Sequence, residues 1–160
     1  KNFWSVENSI WSIMSVQGGA QLTIVDSKGT GAIVAKENDS YVFDVRDGST
    51  LNIEAGRFVG NISAVYVKQG TANIKGGHYR ILQLSEHNDE RYTLNCLDEN
   101  YTANPRKANI VVTGGSFVNF DPSLNLAEGE ETNFVEYGYS VNHTTADGKH
   151  IYTVVATAAN

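Results

Sequence analysis

The sequence predicts an all-β protein built from stacked coils, on three observations. A segment at Leu51–Phe58 recurs at Ala72–Tyr79 and at Ile110–Phe117, with a glycine and then an aromatic residue at the same places. Short runs in and between the copies alternate apolar and polar residues, as strands with one buried face do. The chain has 15 glycines and only 2 prolines, which suits many tight turns. A recurrence of about 20 residues indicates that each copy is one unit of a stack.

Composition limits the classes of partner and of site. The 160 residues are enough for one domain, and we predict a single domain over 1–160. With 12 Lys+Arg against 18 Asp+Glu, the net charge of −6 and the lack of a cationic cluster argue against nucleic acid. No apolar run is long enough to span a membrane, so we expect no membrane insertion. The single cysteine, Cys96, excludes an intrachain disulfide and is expected to be a small buried side chain.

Residues 1–16 are predicted to form an N-terminal cap or a first coil. They alternate loosely between apolar and polar residues and include Trp4 and Trp11. The terminal unit of a stack needs a cover against water and edge pairing, which favours buried tryptophans. The alternative is that Trp4 and Trp11 form an exposed surface that stacks on sugars or docks a partner. Both are therefore candidate ligand-binding residues.

Residues 17–117 are predicted to form the coils. The run that begins at Val16 aligns without a gap on the run that begins at Val45, and Val67 begins a third copy. Stacked parallel coils bring equivalent residues into ladders about 4.8 Å apart. The polar positions between the ladders, Asn52 and Asn73, are expected to face outward, and Val111 breaks that polar row. The predicted inward ladders are Leu22, Leu51, Ala72, Ile110; Ile24, Ile53, Ile74, Val112; and Phe58, Tyr79, Phe117.

Three glycines, Gly56, Gly77 and Gly115, are predicted to be structural corners. A turn within two residues commonly needs a positive φ, which glycine adopts without steric cost. The position before each corner is expected to tolerate a side chain, since it is Ala55 in the first copy. A phosphate-binding glycine loop is excluded, because no helix follows and no Gly-Lys-Ser/Thr motif is present.

The third copy follows the second after an insertion. We interpret Tyr92–Leu97 as the first strand of a fourth coil, with polar loops on both sides. Loops on a rigid array commonly carry binding function, although a solvated connection explains them equally well. Two tyrosines complete the candidate ligand-binding residues: Tyr66, on a predicted strand, and Tyr101, in the second loop.

Residues 118–160 are predicted to form a C-terminal cap with a β-hairpin that closes the open end. Asp147-Gly148 between two alternating runs is a strong hairpin signal. His143 and His150 lie on the two arms and are expected to meet. Since no third ligand is visible, we predict no metal site, and no cofactor is expected.

The repeat resembles the right-handed parallel β-helix of pectin-lyase-like proteins over about residues 10–120. The run from Gly114 through Ser123, with Ala127-Glu-Gly, Thr132–Val135 and Tyr152–Val155, resembles the ends of β-helical fibre, tail-spike or surface proteins of gut Bacteroidetes and their phages. The resemblance implies a right-handed parallel β-helix of about four to five coils with a C-terminal β-hairpin cap. It also implies a virion or extracellular location, a cell surface included, and a homo-oligomer, which in phage fibres is often a trimer.

The resemblance implies attachment or structural display without catalysis, through surface polysaccharide or a partner protein. The alternative is a polysaccharide lyase or glycoside hydrolase on the same scaffold, which places paired carboxylates on adjacent coils. Asp44, Asp47 and Glu54 fall on one coil, and the next coil has Tyr66, Gln69 and Lys75 at those positions. No catalytic residue is therefore assigned. A flat Thr/Asn/Tyr outer face would favour binding, and three convergent charges would favour an enzyme.

Overall fold

The structure, a computed structural model, describes residues 2–4 as backbone and residues 11–83 and 92–158 in full. It is all-β, with sheets of mostly parallel strands. In the described part there is one helix, α1 (Asp98–Tyr101), and no helix there has the length and apolar character to span a membrane. The strands are β1 Asn2–Trp4, β2 Ser12–Val16, β3 Gln21–Ile24, β4 Ala32–Val34, β5 Tyr41–Val45, β6 Ser49–Ile53, β7 Arg57–Gly60, β8 Ser63–Val67, β9 Gly70–Ile74, β10 His78–Ile81, β11 Leu94–Cys96, β12 Ala108–Val112, β13 Ser116–Val118, β14 Tyr139–Ala146 and β15 Lys149–Ala156.

Every third strand joins the same sheet from β2 to β13. Sheet 1 has the order β2-β5-β8-β11, and sheet 2 has the order β3-β6-β9-β12. Sheet 3 has the order β1-β4-β7-β10-β13-β15-β14. All pairs are parallel except those of β15 with β13 and with β14. One strand from each sheet therefore makes one repeat, and the apolar core lies between the three sheets.

The predicted inward ladders are confirmed by the strand register. In sheet 2, Leu51 pairs with Leu22 below it and with Ala72 above it, and Ala72 pairs with Ile110. The row of Ile24, Ile53, Ile74 and Val112 pairs in the same way. In sheet 3, Tyr79 pairs with Phe58 on one side and with Phe117 on the other. These three rings stack with centroids 5.3 and 4.9 Å apart and are fully buried.

The corner glycines are confirmed, and the structure adds a steric reason for them. Gly56, Gly77 and Gly115 have φ of 131°, 100° and 99°. A Cβ on Gly77 would also lie 2.9 Å from the Tyr79 hydroxyl and 3.0 Å from a Phe58 ring carbon. The corners therefore leave room for the aromatic ladder that they precede.

The expected tolerance of the position before each corner is wrong for two of the three copies. A Cβ on Gly76 would lie 2.2 Å from the carbonyl oxygen of Glu54, and one on Gly114 would lie 2.1 Å from that of Lys75. Both glycines stand directly over the backbone of the preceding repeat. Ala55 occurs in the first of the three copies. A side chain at that position therefore does not predict that one fits in the two copies stacked above it.

The inserted segment is divided between two connections, as expected. Strand β11 pairs with β8, which confirms Tyr92–Leu97 as the site of a fourth strand of sheet 1. Paired residues are 29 positions apart there (Val67 and Cys96) and 38 apart in sheet 2 (Ile74 and Val112). The first part of the insertion includes residues 84–91, which lie outside the described residues. The second part contains α1 and leads back to β12.

The predicted hairpin is present, but it continues sheet 3 along the edge of β13. Its turn has φ of 52° at Asp147 and 73° at Gly148, as a type I′ turn requires. The edge of sheet 2 is met by a different segment, because the amide of Val112 donates to the carbonyl of Phe134 at 2.8 Å. The hairpin is therefore one of several C-terminal segments that cover the last repeat.

Replacing Gly77 with alanine tests the corner geometry. We expect Gly77→Ala to lower the free energy of unfolding by about 2–4 kcal/mol, because it adds a steric clash to an unfavourable φ. Gly29→Ala is the matched control: φ is 67°, and no atom lies within 4 Å of the added Cβ. The control should cost only about 1 kcal/mol. Urea unfolding of both variants measures the difference, and equal losses would contradict the steric argument.

Candidate functional site

Two of the four predicted ligand-binding residues, Trp11 and Tyr66, lie at or beside the outer surface of sheet 1, whereas Trp4 is on sheet 3 and Tyr101 is in α1. Trp4 lies on β1, and its side chain is outside the described residues. Trp11 immediately precedes β2 and is 66% exposed, so it is not a buried cap. Its carbonyl accepts a hydrogen bond from the amide of Tyr41 at 2.8 Å, which places the two residues on neighbouring strands. Tyr66 lies on β8 of the same sheet.

The centre of this surface is a stacked tyrosine pair. The rings of Tyr41 and Tyr66 have centroids 4.8 Å apart and planes 19° apart, and both side chains are half-buried. Burial raises the pKa of Tyr66 to about 12, with further contributions from Tyr41 and Asp44. Like an ordinary tyrosine, Tyr66 is protonated at neutral pH, so its phenol can both donate and accept a hydrogen bond. We define the tyrosine face by five residues of this region: Tyr41, Asp44, Arg46, Tyr66 and Glu128.

Asp44 is a buried carboxylate within the tyrosine face. It pairs in register with Tyr66, lies between the inward residues Phe43 and Val45, and is only 1% exposed. One carboxylate oxygen accepts from Nε of Arg46 at 2.5 Å, and the other has no hydrogen-bond partner among the described residues. Burial raises the pKa of Asp44, and the Arg46 guanidinium opposes that rise. Burial of one unpaired oxygen is costly, which marks this residue for a role beyond packing.

Glu128 reaches the same region from the segment that follows the repeats. Its Oε1 accepts from the amide of Cys96 at 2.5 Å, and its Oε2 is buried without a hydrogen-bond partner in the described part of the chain. Burial raises the pKa of Glu128 to about 7, against the lowering effect of the Cys96 amide. The charge of Glu128 in turn contributes to the raised pKa of Tyr66. The two residues are linked through β11, because Asn95, next to Cys96, pairs in register with Tyr66.

Sequence reasoning assigned no role to Glu128. It lies in Ala127-Glu-Gly, outside the repeat, and no periodicity links that segment to sheet 1. Only the pairing of β11 with β8 and the path of the C-terminal segment bring Glu128 to Cys96. Cys96 itself is buried, as predicted, and burial raises the pKa of its thiol.

Tyr101 is adjacent to the tyrosine face but is engaged by neighbours. The Arg106 guanidinium carbon lies 3.9 Å from the centroid of the Tyr101 ring, and Nε of Arg106 donates to the Tyr101 carbonyl at 2.9 Å. The ring meets Phe134 edge-on, with centroids 6.0 Å apart. These contacts hold Tyr101 as a packing residue that fixes the loop after α1. Among the predicted candidates, Trp11 and Tyr66 are therefore the better placed for a ligand.

The outer surface of sheet 2 has no charged side chain in its two paired rows. The amide of Asn73 donates to Oδ1 of Asn52 at 2.9 Å, and the amide of Asn52 reaches Thr23 Oγ1 at 3.5 Å. Asn52 lies on the predicted outward side but is only 7% exposed, because this row of side chains packs along the stack. The rows consist of Gln21, Thr50, Thr71, Asn109 and Thr23, Asn52, Asn73, Val111.

Two cavities in the described part of the chain lie away from the tyrosine face. One of about 330 Å³ opens at the corner after β3 and is lined by Met14, Ile24, Ile33 and Phe58, with Asp26 and Arg57 at its polar side. Another of about 490 Å³ lies near the exposed Tyr137. Among the described residues, no three His, Cys, Asp or Glu side chains converge to hold a metal ion.

Comparison with known proteins does not identify the chain. No family model, no curated protein and no solved structure matches it. The resemblance to pectin-lyase-like proteins therefore stays a prediction.

The raised pKa of Glu128 predicts a pH-dependent stability. Between its ordinary value of 4.5 and about 7, the unfolded chain releases the proton that the folded chain retains. Stability is therefore lost as the pH rises through this window. Glu128→Gln mimics the protonated acid, so at pH 8 it should be more stable than the parent by about 1 kcal/mol, after a discount for partial exposure. The advantage should vanish below pH 4.5.

Urea unfolding at pH 4 and pH 8 measures the effect of Glu128→Gln. Glu136→Gln, a change at an exposed position, is the control and should show no such pH-dependent difference. A difference between Glu128→Gln and the parent that is the same at both pH values would contradict the burial of this carboxylate.

Proposed function

We propose that this chain is a right-handed parallel β-helix domain of about four to five coils, of the fibre, tail-spike or surface-protein type, that serves attachment without catalysis. It binds surface polysaccharide, with a partner protein as the other class of ligand. Its location is a virion or the outside of a cell. The three parallel sheets with strands in cyclic order support the fold, since parallel crossovers are right-handed in about 98% of cases.

The observation that carries the binding function is the stacked pair Tyr41 and Tyr66 beside the exposed Trp11. Tyrosine and tryptophan combine an apolar ring with a hydrogen-bonding group, which suits the mixed polar and apolar surface of a sugar. The pair is held by strand pairing, so little ordering is required when a ligand binds. Trp11 and Tyr66 are accordingly the proposed contacts.

Two outward rows of sheet 2 without charged side chains also support binding over catalysis. The charged residues that follow them, Glu54 and Lys75, form an ion pair with each other. The eight positions of the two rows carry amide, hydroxyl and one valine side chain, and they lie on a rigid parallel sheet. Acid–base catalysis needs titratable groups at the reacting bond, and these two rows have none. A flat surface of this kind suits an extended polymer better than a small molecule.

A polysaccharide hydrolase or lyase is the second candidate, and Glu128 is the observation that favours it. A carboxyl group with a pKa of about 7 is suited to general acid or base catalysis at neutral pH. Asp44, also with a raised pKa, belongs to the same tyrosine face. In this version Glu128 would transfer the proton and Tyr66 would position the sugar.

One set of variants separates the two functions. The chain is tested for binding to immobilised bacterial capsular and cell-wall polysaccharides and for release of reducing or unsaturated ends. We expect Tyr66→Ala to weaken binding about tenfold or more, as loss of a central aromatic contact does. Tyr137→Ala is the matched control, because Tyr137 is 98% exposed and remote from sheet 1 in the strand order.

The attachment proposal requires binding without cleavage. Cleavage that Glu128→Gln abolishes, with binding retained, would replace it with the enzymatic function. Unchanged binding in Tyr66→Ala and in Trp11→Ala would exclude the tyrosine face and the neighbouring Trp11 as the site.

We also propose that the domain forms a homo-oligomer, and that this oligomer is a trimer if the domain belongs to a fibre. Strand β14 supports this, because within the described residues it pairs only with β15 and ends sheet 3. Its eight residues include no proline and no Asp, Glu, Lys or Arg, the residues that commonly protect such an edge. Light scattering at high concentration should give three times the chain mass. A strict monomer would contradict the trimer.

A further inference from the structure

The hairpin carries a histidine pair that neither the fold nor the proposed function uses. His143 pairs in register with Tyr152, which pairs with Phe117 of the buried aromatic ladder. The three residues therefore continue one row across sheet 3. At the hairpin this row comes to the surface, where His143 and His150 are exposed.

One ring nitrogen of each histidine points toward the other histidine. Nε2 of His143 and Nδ1 of His150 are hydrogen-bonded at 2.8 Å, and the ring centroids are 5.0 Å apart. A metal ion bound by both nitrogens would replace the shared proton. A tetrahedral ion bound at about 2.0–2.1 Å by both nitrogens needs them about 3.3 Å apart. An increase of about 0.5 Å is within reach of small side-chain rotations on one hairpin. The pair is thus close to a chelating geometry.

Neighbouring contacts fix the His143 ring and the His150 backbone. The His143 ring stacks on Tyr152, with centroids 4.8 Å apart and planes 16° apart. Asn119 holds the His150 backbone from both sides: its Oδ1 accepts from the His150 amide at 2.8 Å, and its own amide donates to the His150 carbonyl at 2.7 Å. Ligands that are fixed before binding give a metal site a higher affinity than mobile ones.

In place of the sequence-based prediction of no metal site, we propose that His143 and His150 bind one divalent transition-metal ion of the class that prefers imidazole, namely Zn²⁺, Cu²⁺ or Ni²⁺. Water completes the coordination, because the described residues offer no third His, Cys, Asp or Glu ligand. Neutral imidazole nitrogens suit these ions, whereas Mg²⁺ and Ca²⁺ prefer oxygen ligands. The net charge of −6 favours the approach of a cation.

Calorimetric titration with Zn²⁺ and with Cu²⁺ tests the site, and Mg²⁺ is titrated as the negative control. We expect one ion per chain, with saturable binding lost in His143→Asn and in His150→Asn. His78→Asn is the matched control and should bind as the parent does, since the exposed His78 contacts Ser116 on another part of sheet 3. Circular dichroism verifies that each variant is folded.

Spectroscopy of the Cu²⁺ complex supplies a second readout. Electron paramagnetic resonance should report two coupled imidazole nitrogens in the parent and in His78→Asn, and one or none in the hairpin variants. Binding that survives both hairpin substitutions, binding that disappears in His78→Asn, or no saturable uptake of either Zn²⁺ or Cu²⁺ would overturn the proposal.

Discussion

The structure depends on the contact between the aromatic ladder of sheet 3 and the glycine corners that precede each of its rings. Phe58, Tyr79 and Phe117 fill the interior as one continuous stack. They fit because Gly56, Gly77 and Gly115 leave the space that a Cβ would occupy. Apolar burial and backbone geometry are therefore satisfied by the same residues. This coupling explains why glycine and the aromatic residue recur together while the residues between them vary.

Much of the fold could be predicted, because stacked repeats place equivalent residues in contact. The ladder of Leu51 and Ala72, the corner at Gly77 and the fourth strand at Leu94 all follow from a periodic pattern. The path of the C-terminal segment could not be predicted, since it lies outside that periodicity. The failure at Gly76 has a similar origin. The nearness of another backbone is a property of the stack and is not visible in one copy of the motif.

The candidate site was predicted only in part, for the same reason. Tyr66 was accessible to sequence reasoning as an aromatic residue on a predicted strand, whereas Trp11 was expected first in a buried cap and its exposure was only the alternative. The stack of Tyr41 on Tyr66, the burial of Asp44 and the arrival of Glu128 depend on three neighbouring strands and one distant segment. A surface made from several repeats thus acquires chemistry that no single repeat encodes.

The separation of paired residues along the chain has a consequence for how such a domain can change. It grows from 21 positions between Ile53 and Ile74 to 38 between Ile74 and Val112, yet the register of the ladder is unaltered. Closing the longer connection costs only about 0.5 kcal/mol more, because loop entropy rises with the logarithm of length. Segments of new sequence can therefore enter between strands at small thermodynamic cost. The length of a connection can therefore change while the strand register and the core residues stay the same.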